Sequence, residues 1–296
     1  MKKTKYTFLL ILLSQSFGFS QTNPLELWYN RPASVWEETL PLGNGRLGLM
    51  PDGGVNTEKL VLNDITLWSG SPQDANNYNA YKSLPKIKEL LLAGKNVEAE
   101  KLVNENFICT GPGSGSGSGA NVEFGCYQVL GNLTLNFDYG KPSKDIKFEK
   151  YNRNLNLQTA VASTQFTVDG VVYTREYFTG FGDDVSFIKL SADKKGMLNF
   201  TIQLDRPERF RTVVNNDTSL VMTGQLNDGK GGGGMRYKTI VKAQPKDGTL
   251  LSDDSKLTVS NATEVIIYVA AGTDFKDKNF EQTVDATLIA AIDKKY

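Results

Sequence analysis

The segment TQFTVDGVVYTREYF, Thr164 to Phe178, carries the clearest structural signal in this sequence of 296 residues. Two runs that read as β-strands lie on either side of Asp169-Gly170. An Asp-Gly pair is favoured at the centre of a type I′ turn, which joins neighbouring antiparallel strands. The segment therefore predicts a β-hairpin.

Strand-like alternation of apolar and polar residues continues around this hairpin, from Tyr127 onward. In LTLNF, for example, the apolar residues Leu133, Leu135 and Phe137 share one face. Similar runs, separated by short Gly, Asn and Asp turns, are SFIKL, LNFTIQL, SLVMTG, YKTIVKAQ, KLTVS and EVIIYVAAG. The last of these is apolar on both faces, so we expect it in the middle of a sheet. Many short strands at near-regular spacing predict a mainly β protein, built as a large antiparallel sandwich.

A helical insertion is predicted at about 82–107, where the period of the apolar residues changes. Ser83 stands at the start of the first helix as an N-cap, and Gly94 at its end as a stop. The apolar stripes consist of Ile87, Leu90 and Leu91 in the first helix and Val97, Leu102 and Val103 in the second. Because such stripes normally face a core, we expect the insertion to lie on the sandwich.

Charge and composition exclude several classes of function. The 33 Lys and Arg residues balance 33 Asp and Glu residues, which argues against a nucleic-acid or membrane-surface partner. The sequence contains no His, which excludes Ser–His triads, Cys–His pairs, imidazole bases and His-ligated zinc. Any chemistry must therefore use carboxylates, Lys, Tyr, amides or the backbone, and we expect neither a metal nor a cofactor.

Residues 1–20 have the form of a signal peptide. MKKTKY is basic, TFLLILL is apolar, and Gly18 and Ser20 are the small residues that precede a cleavage site. The apolar run is too short for a spanning helix, which needs about 20 residues. We expect cleavage near Ser20-Gln21 and export to the periplasm or the cell exterior.

Two cysteines flank a Gly/Ser loop at 111–119. In an oxidising compartment Cys109 and Cys126 could form a disulfide that closes this loop. The alternative is two free thiols, and the sequence alone leaves both open.

A second glycine-rich stretch is DGKGGGGMRY, residues 228–237. A phosphate cradle is one interpretation, but the Gly-Lys-Ser/Thr ending and the following helix are missing. We favour a mobile hairpin loop.

Two dense segments, PLGNGRLGLM (41–50) and LNDITLWSGSP (62–72), hold the residue types that bind sugars. Amides and carboxylates bond vicinal hydroxyls, and aromatic faces cover the apolar side of a sugar ring. The candidates are Asn44, Arg46, Asn63, Asp64 and Trp68. In the structural alternative, which the residue types alone favour, Asn44 supports a turn, Arg46 holds a carboxylate and Trp68 fills the core.

Adjacent acidic residues occur at 37–38, 183–184 and 253–254. A glycosidase needs two carboxyl groups about 5–10 Å apart across a cleft. Neighbouring strand residues point to opposite faces, so adjacency does not supply that arrangement. We interpret all three pairs as solvated turn acids.

Long ordered motifs resemble the amino-terminal part of glycoside hydrolase family 95. They are LPLGNGRLG (40–48), LVLNDITLWSGSPQDANN (60–77), IKELLLAGKNVEAEKL (87–102) and YQVLGNLTLNF (127–137). YNRNLNLQTAVASTQFTVDGVVYTREYF and LSADKKGMLNFTIQLD continue the likeness, which runs from Leu25 to the end of the chain.

The resemblance implies an exported, inverting, exo-acting α-L-fucosidase, some family members preferring α-L-galactosides. Such enzymes combine an amino-terminal β super-sandwich, a helical linker and an (α/α)₆ barrel. For this chain it implies a super-sandwich at 21–275 and the start of a linker helix at 276–296, where TVDATLIAAIDKKY reads as a helix. The general-acid Glu and the Asn/Asp group that activates water belong to the barrel and its neighbourhood, and we expect this chain to be a truncated fragment that lacks the barrel.

The chain alone is therefore expected to be inactive and to contain no catalytic residue. Its partners would be an (α/α)₆ barrel, in cis or on a separate chain, and a fucosylated or galactosylated glycan. The five candidate residues of the two dense segments would line a pocket rim or an inter-domain contact. The alternatives are a free-standing carbohydrate-binding module and a purely structural sandwich.

Overall fold

The computed structural model describes residues 25–110 and 123–294. The predicted signal peptide and the Gly/Ser loop at 111–119 lie outside the described residues. The strands of the described ranges are, in chain order, β1 (Glu26–Tyr29), β2 (Leu42–Gly43), β3 (Leu47–Pro51), β4 (Thr57–Asp64), β5 (Gly131–Phe137), β6 (Phe148–Asn156), β7 (Val161–Val168), β8 (Val171–Thr179), β9 (Ser186–Ala192), β10 (Leu198–Asp205), β11 (Arg211–Asn215), β12 (Ser219–Asn227), β13 (Gly233–Pro245), β14 (Thr249–Asp253), β15 (Lys256–Ala262) and β16 (Glu264–Thr273). The α-helices are α1 (Leu84–Leu92), α2 (Asn96–Asn106) and α3 (Phe280–Lys294).

The strands form two antiparallel sheets that pack face to face. The nine-stranded sheet has the order β1-β6-β7-β8-β9-β16-β13-β12-β11, and the seven-stranded sheet has the order β14-β15-β10-β5-β4-β3-β2. Every pairing is antiparallel. The prediction of a mainly β antiparallel sandwich is confirmed.

The hairpin predicted around Asp169-Gly170 is present as β7–β8. Val168 pairs with Val171, and the two turn residues have φ angles of 48° and 72°. Positive φ at both central positions is what a type I′ turn requires. The position predicted for EVIIYVAAG is also confirmed, because β16 lies between β9 and β13.

Helix α3 covers the outer face of β13 and β16. Its buried residues Val284 and Leu288 pack with Ile240, Tyr268 and neighbouring apolar side chains. This explains why β16 is apolar on both faces, since one face meets the sandwich core and the other meets the helix. A helix is thus present where the end of the sequence predicts one.

A buried ion pair joins the two sheets across the core. Arg175 on β8 and Glu58 on β4 are both almost fully buried, and the Arg175 Nη1–Glu58 Oε2 distance is 2.8 Å. Tyr177 donates a hydrogen bond of 2.5 Å to Glu58, and the Arg175 guanidinium lies 3.8 Å from the centre of the Phe137 ring. Burial raises the pKa of Glu58, and the guanidinium opposes this rise.

The helical insertion differs in part from its prediction. Helices α1 and α2 pack mainly on one another around Ile87, Leu90 and Ala99, in a cluster separate from the sandwich core. Leu91 and Val97, predicted to face the core, are 53% and 81% exposed. Val103 is 37% exposed and Leu102 is partly buried. The two helices are short and meet along one narrow seam, which cannot enclose the whole of either stripe.

Candidate functional site

The segment PLGNGRLG forms the β2–β3 hairpin at one end of the seven-stranded sheet. The Asn44 side-chain oxygen accepts hydrogen bonds from the backbone N–H groups of Arg46 (3.0 Å) and Leu47 (2.8 Å). Gly45 has a φ of 91°, which residues with a Cβ rarely adopt. Asn44 therefore has the turn-forming role that the structural alternative predicted.

Arg46 is the centre of an ion-pair network that links both sheets. Its Nη1 donates to Asp64 Oδ2 and its Nε to Asp184 Oδ2, each at 2.6 Å. Its Nη2 donates to the carbonyl oxygen of Ala271 at 2.9 Å. Asn44 adds a bond of 2.7 Å to the other oxygen of Asp184, in the loop between β8 and β9. We call these residues the Arg46 network.

Asp64 is fully buried within this network. Its Oδ1 accepts hydrogen bonds from the backbone N–H (2.9 Å) and the hydroxyl (2.6 Å) of Thr66. Since both oxygens are bonded inside the protein, Asp64 does not face a ligand in this conformation. The contacts of Arg46 and Asp64 favour the structural alternative, while their assignment to a pocket rim or inter-domain contact stays a prediction.

Trp68 behaves differently, because it does not fill the core. Its side chain is 44% exposed. Its ring packs edge-on against Tyr127, with the ring centres 6.0 Å apart, and the Tyr127 hydroxyl donates to Asn63 Oδ1 at 2.9 Å. Asn63 thus fixes the aromatic neighbour that orients Trp68, and the structural alternative is wrong for Trp68.

A cleft of about 590 Å³ opens beside Trp68. It lies between residues 68–72, the glycine-rich β12–β13 hairpin, and the segment that connects β16 to α3. Its lining residues include Trp68, Ser71, Asp228, Asp274, Phe275 and Lys278. We call it the Trp68 cleft.

The glycine-rich stretch forms a β-hairpin loop, as predicted. Asp228 Oδ1 accepts hydrogen bonds from the backbone N–H groups of Lys230 and Gly232, both at 2.8 Å. These bonds hold the pKa of Asp228 below its usual value. A phosphate cradle needs such N–H groups for its ligand, and here a carboxylate already occupies them.

The other two charged residues of the Trp68 cleft, Asp274 and Lys278, are hydrogen-bonded to one another, and Asp274 also to Arg236 on β13. Asp274 accepts hydrogen bonds from Arg236, from the backbone N–H at 3.0 Å and from Nε at 3.2 Å. Lys278 Nζ donates to the Asp274 carbonyl oxygen at 3.1 Å. These hydrogen bonds hold this wall of the cleft in place without a ligand.

A close backbone approach holds residues 68–72 against the hairpin. The Gly70 N–H donates to the Asn227 carbonyl oxygen at 2.9 Å, and Gly70 has a φ of 87°. A Cβ at this position would lie 2.5 Å from the Glu123 carbonyl oxygen. Next to it, the buried Ser71 hydroxyl has no hydrogen-bond partner within the described residues.

The cysteines are free thiols in the structure, which is one of the two alternatives that the sequence left open. Cys109 is exposed, and Cys126 Sγ accepts a hydrogen bond of 3.0 Å from Gln128 Nε2. In the described ranges, no group of three His, Cys, Asp or Glu residues could hold a metal ion, and no helix is long and apolar enough to cross a membrane.

The structure divides the five predicted residues between two neighbouring places. Asn44, Arg46 and Asp64 belong to the Arg46 network, whereas Trp68 lines the cleft and Asn63 supports it through Tyr127. The residue patterns did not indicate Asp184, Asp228 or Phe275 as site residues. Asp184 had been interpreted as a solvated turn acid, although it holds Arg46. The glycine-rich stretch around Asp228 was the one available signal for the second wall of the cleft.

Comparisons with known proteins agree with this architecture. Residues 27–278 match the model of "Glycosyl hydrolase family 65, N-terminal domain". The chain is 30% identical to "Alpha-L-fucosidase 2" of Arabidopsis thaliana, over 92% of this chain and 33% of the relative. It is 27% identical to "Probable alpha-fucosidase A" of Aspergillus oryzae, over 94% of this chain and 37% of the relative.

Among solved structures, "Putative kojibiose phosphorylase from human microbiome" superimposes with a TM-score of 0.49 at 10% identity. The superposition covers 93% of this chain and 36% of that one. The chain spans about a third of the length of the curated relatives it matches. The fucosidase relatives are consistent with the resemblance to family 95, and the prediction of a glycoside hydrolase amino-terminal domain is confirmed. The chain belongs to the family of glycosyl hydrolase family 65 amino-terminal domains.

Proposed function

We propose that this chain is the amino-terminal β super-sandwich of an exported, inverting, exo-acting α-L-fucosidase, and that it does not hydrolyse glycosides by itself. The observation that carries the proposal is the similarity to an α-L-fucosidase along 92% of the chain, within the amino-terminal domain family. The substrate is a fucosylated or galactosylated glycan. The chemistry belongs to an (α/α)₆ barrel, joined in cis or supplied as a separate chain.

The carboxyl groups of the described residues support the assignment of the chemistry to the barrel and not to this chain. An inverting glycosidase needs a carboxylic acid with a raised pKa that can protonate the leaving group, and a second carboxylate across the cleft. Burial raises the pKa of Glu58, which lies sealed between the sheets against Arg175. Burial also raises the pKa of Asp52, whose Oδ1 accepts two backbone N–H bonds in the β3–β4 turn.

The acids near the Trp68 cleft are unsuited to donating a proton. Hydrogen bonds from backbone N–H groups keep the pKa of Asp228 low, so it is ionised at neutral pH. Asp274 is already bonded twice to Arg236. A proton donor for the glycosidic oxygen therefore has to come from elsewhere.

An activity assay tests the proposal directly. The purified chain is incubated with 4-nitrophenyl α-L-fucoside and the α-L-galactoside, alone and with a barrel polypeptide taken from a fucosidase relative. We expect no release of nitrophenol by the chain alone and release by the combination above the rate of the barrel alone. A full-length fucosidase serves as positive control. Hydrolysis by the isolated chain would refute the proposal.

Export is part of the same proposal and has its own test. Residues 1–20 supply the basic and apolar regions that a secretion signal needs. Mass spectrometry of the protein recovered outside the cytoplasm of a bacterial host should show a chain that begins at Gln21. Retention of the complete chain in the cytoplasm would contradict the proposal of export.

A further inference from the structure

We propose that the Trp68 cleft is a binding subsite for the neutral sugar units of an oligosaccharide. This inference rests on the proposed function for the presence of a glycan, and it adds the place where the sandwich holds one. The volume of about 590 Å³ lies within the range of about 300–1,000 Å³ that is typical of ligand pockets.

Exposed aromatic rings stand on two separate segments of the cleft. Trp68, after β4, is 44% exposed, and Phe275, after β16, is 58% exposed. Leaving such large apolar surfaces in water is unfavourable, and a sugar ring can cover them with its C–H groups. The edge contact with Tyr127, itself bonded to Asn63, holds the Trp68 ring in place before a ligand binds.

The cleft also contains a hydrogen-bond acceptor for a sugar hydroxyl. Asp228 uses Oδ1 for the loop, which leaves Oδ2 as an acceptor on the opposite wall.

The charges of the lining favour a neutral ligand. Asp274 is neutralised by Arg236, whose Nε lies 3.2 Å from Asp274 Oδ2, and the ammonium group of Lys278 balances the charge of Asp228. Lys278 is moreover held by the Asp274 carbonyl oxygen at 3.1 Å. The lining therefore has no excess positive charge to offset the desolvation of a sulfate or carboxylate, whereas a neutral sugar meets acceptors and aromatic faces.

Binding is measured by tryptophan fluorescence with the complete chain. The protein contains three Trp residues, so a W28F/W36F variant reports on Trp68 alone. The probes are lactose, cellobiose and maltose, each titrated to about 10 mM, which is tenfold above a millimolar Kd. Lactose 3′-sulfate is the charged counterpart of lactose. We expect saturable binding of at least one neutral disaccharide and at least tenfold weaker binding of the sulfated sugar.

Calorimetric titrations of single variants locate the site. W68A should weaken binding at least tenfold, whereas W36A, which removes a Trp that is 56% exposed outside the cleft, should leave the Kd unchanged.

Three results would overturn the inference: no saturation with any of the three neutral sugars, unchanged affinity in W68A, or tighter binding of the sulfated sugar. These outcomes are independent of the proposed function, which is tested by the activity assay and by the export experiment. A chain that is inactive alone and also binds no sugar would refute the subsite and leave the proposed function standing.

Discussion

Replacement of Arg175 by Met tests the physical basis of the contact between the two sheets. The substitution keeps an apolar stem under Phe137 but removes the cation that lies 2.8 Å from Glu58. It also removes donors to the carbonyl oxygens of Gly54 (2.6 Å) and Val55 (3.2 Å). Breaking a buried pair on one side costs about 3–5 kcal/mol, and the unpaired carbonyls place R175M at the upper end of that range.

Urea unfolding followed by circular dichroism gives the free energy of unfolding for the wild type, R175M, E58L and the E58L/R175M double variant. In the double variant no buried charge is left without a partner. It should therefore be less destabilised than the sum of the two single variants by at least about 2 kcal/mol. Additive losses would refute the argument, because they would mean that the uncompensated charge contributes nothing to the cost.

The pH dependence of R175M is a second check on the same reasoning. Burial raises the pKa of Glu58, and without Arg175 nothing in the pair opposes the rise. A carboxyl group whose pKa is higher in the folded state contributes stability below its unfolded pKa of about 4.3 and loses it as the pH rises. The gap in stability between R175M and the wild type should therefore be smaller at about pH 5 than at about pH 7.

Three further variants probe the Arg46 network, the amino-terminal ion pair and the Trp68 cleft. R46A should lower the free energy of unfolding by roughly 2–4 kcal/mol in urea titrations, because it leaves the fully buried Asp64 without its cation. Arg46 itself is 31% exposed, which keeps the cost below that of a fully buried pair. An effect below about 0.5 kcal/mol would contradict this. Hydrogen bonds from Arg31 lower the pKa of Glu38 to about 2. The wild type should therefore lose thermal stability as the pH falls from about 4.5 to 2, and E38Q should not show this loss. Parallel pH profiles of the two proteins would argue against the ion pair. G70A should destabilise the protein by about 1–3 kcal/mol, because φ is 87° and a Cβ would lie 2.5 Å from a backbone oxygen; an unchanged melting temperature would show that this approach is not tight.

Local patterns of residues were sufficient to predict much of the fold. The β7–β8 hairpin follows from alternation and from Asp169-Gly170, which adopts the positive φ angles that its turn needs. The ends of α1 were close to their predicted positions, since Gly94, just beyond the helix, has a φ of 72°. The burial of the helical insertion was predicted less well. Leu91 and Val97 are exposed because periodicity shows which residues share a face, but not whether anything covers that face.

The candidate site was predicted only in part. The residue types of the two dense segments drew attention to Trp68 and Arg46, and both proved to hold specific positions. Their chemistry could not be separated by type alone, because a guanidinium that binds a sugar and one that binds Asp184 look identical in a sequence. Only the distances show that Arg46 is already bonded on three sides, whereas the Trp68 ring faces a cleft.

The sequence by itself determined what depends on neighbours along the chain: strand and helix periodicity, turn types, the absence of His and the likeness to a glycoside hydrolase domain. The tertiary structure decided what depends on partners far apart in the chain. Arg46 meets Asp184 across 138 positions, and the Trp68 cleft joins segments near residues 70, 230 and 275. Local secondary-structure propensity cannot specify these long-range contacts, because they form only when the complete strand order buries both sheet faces at once.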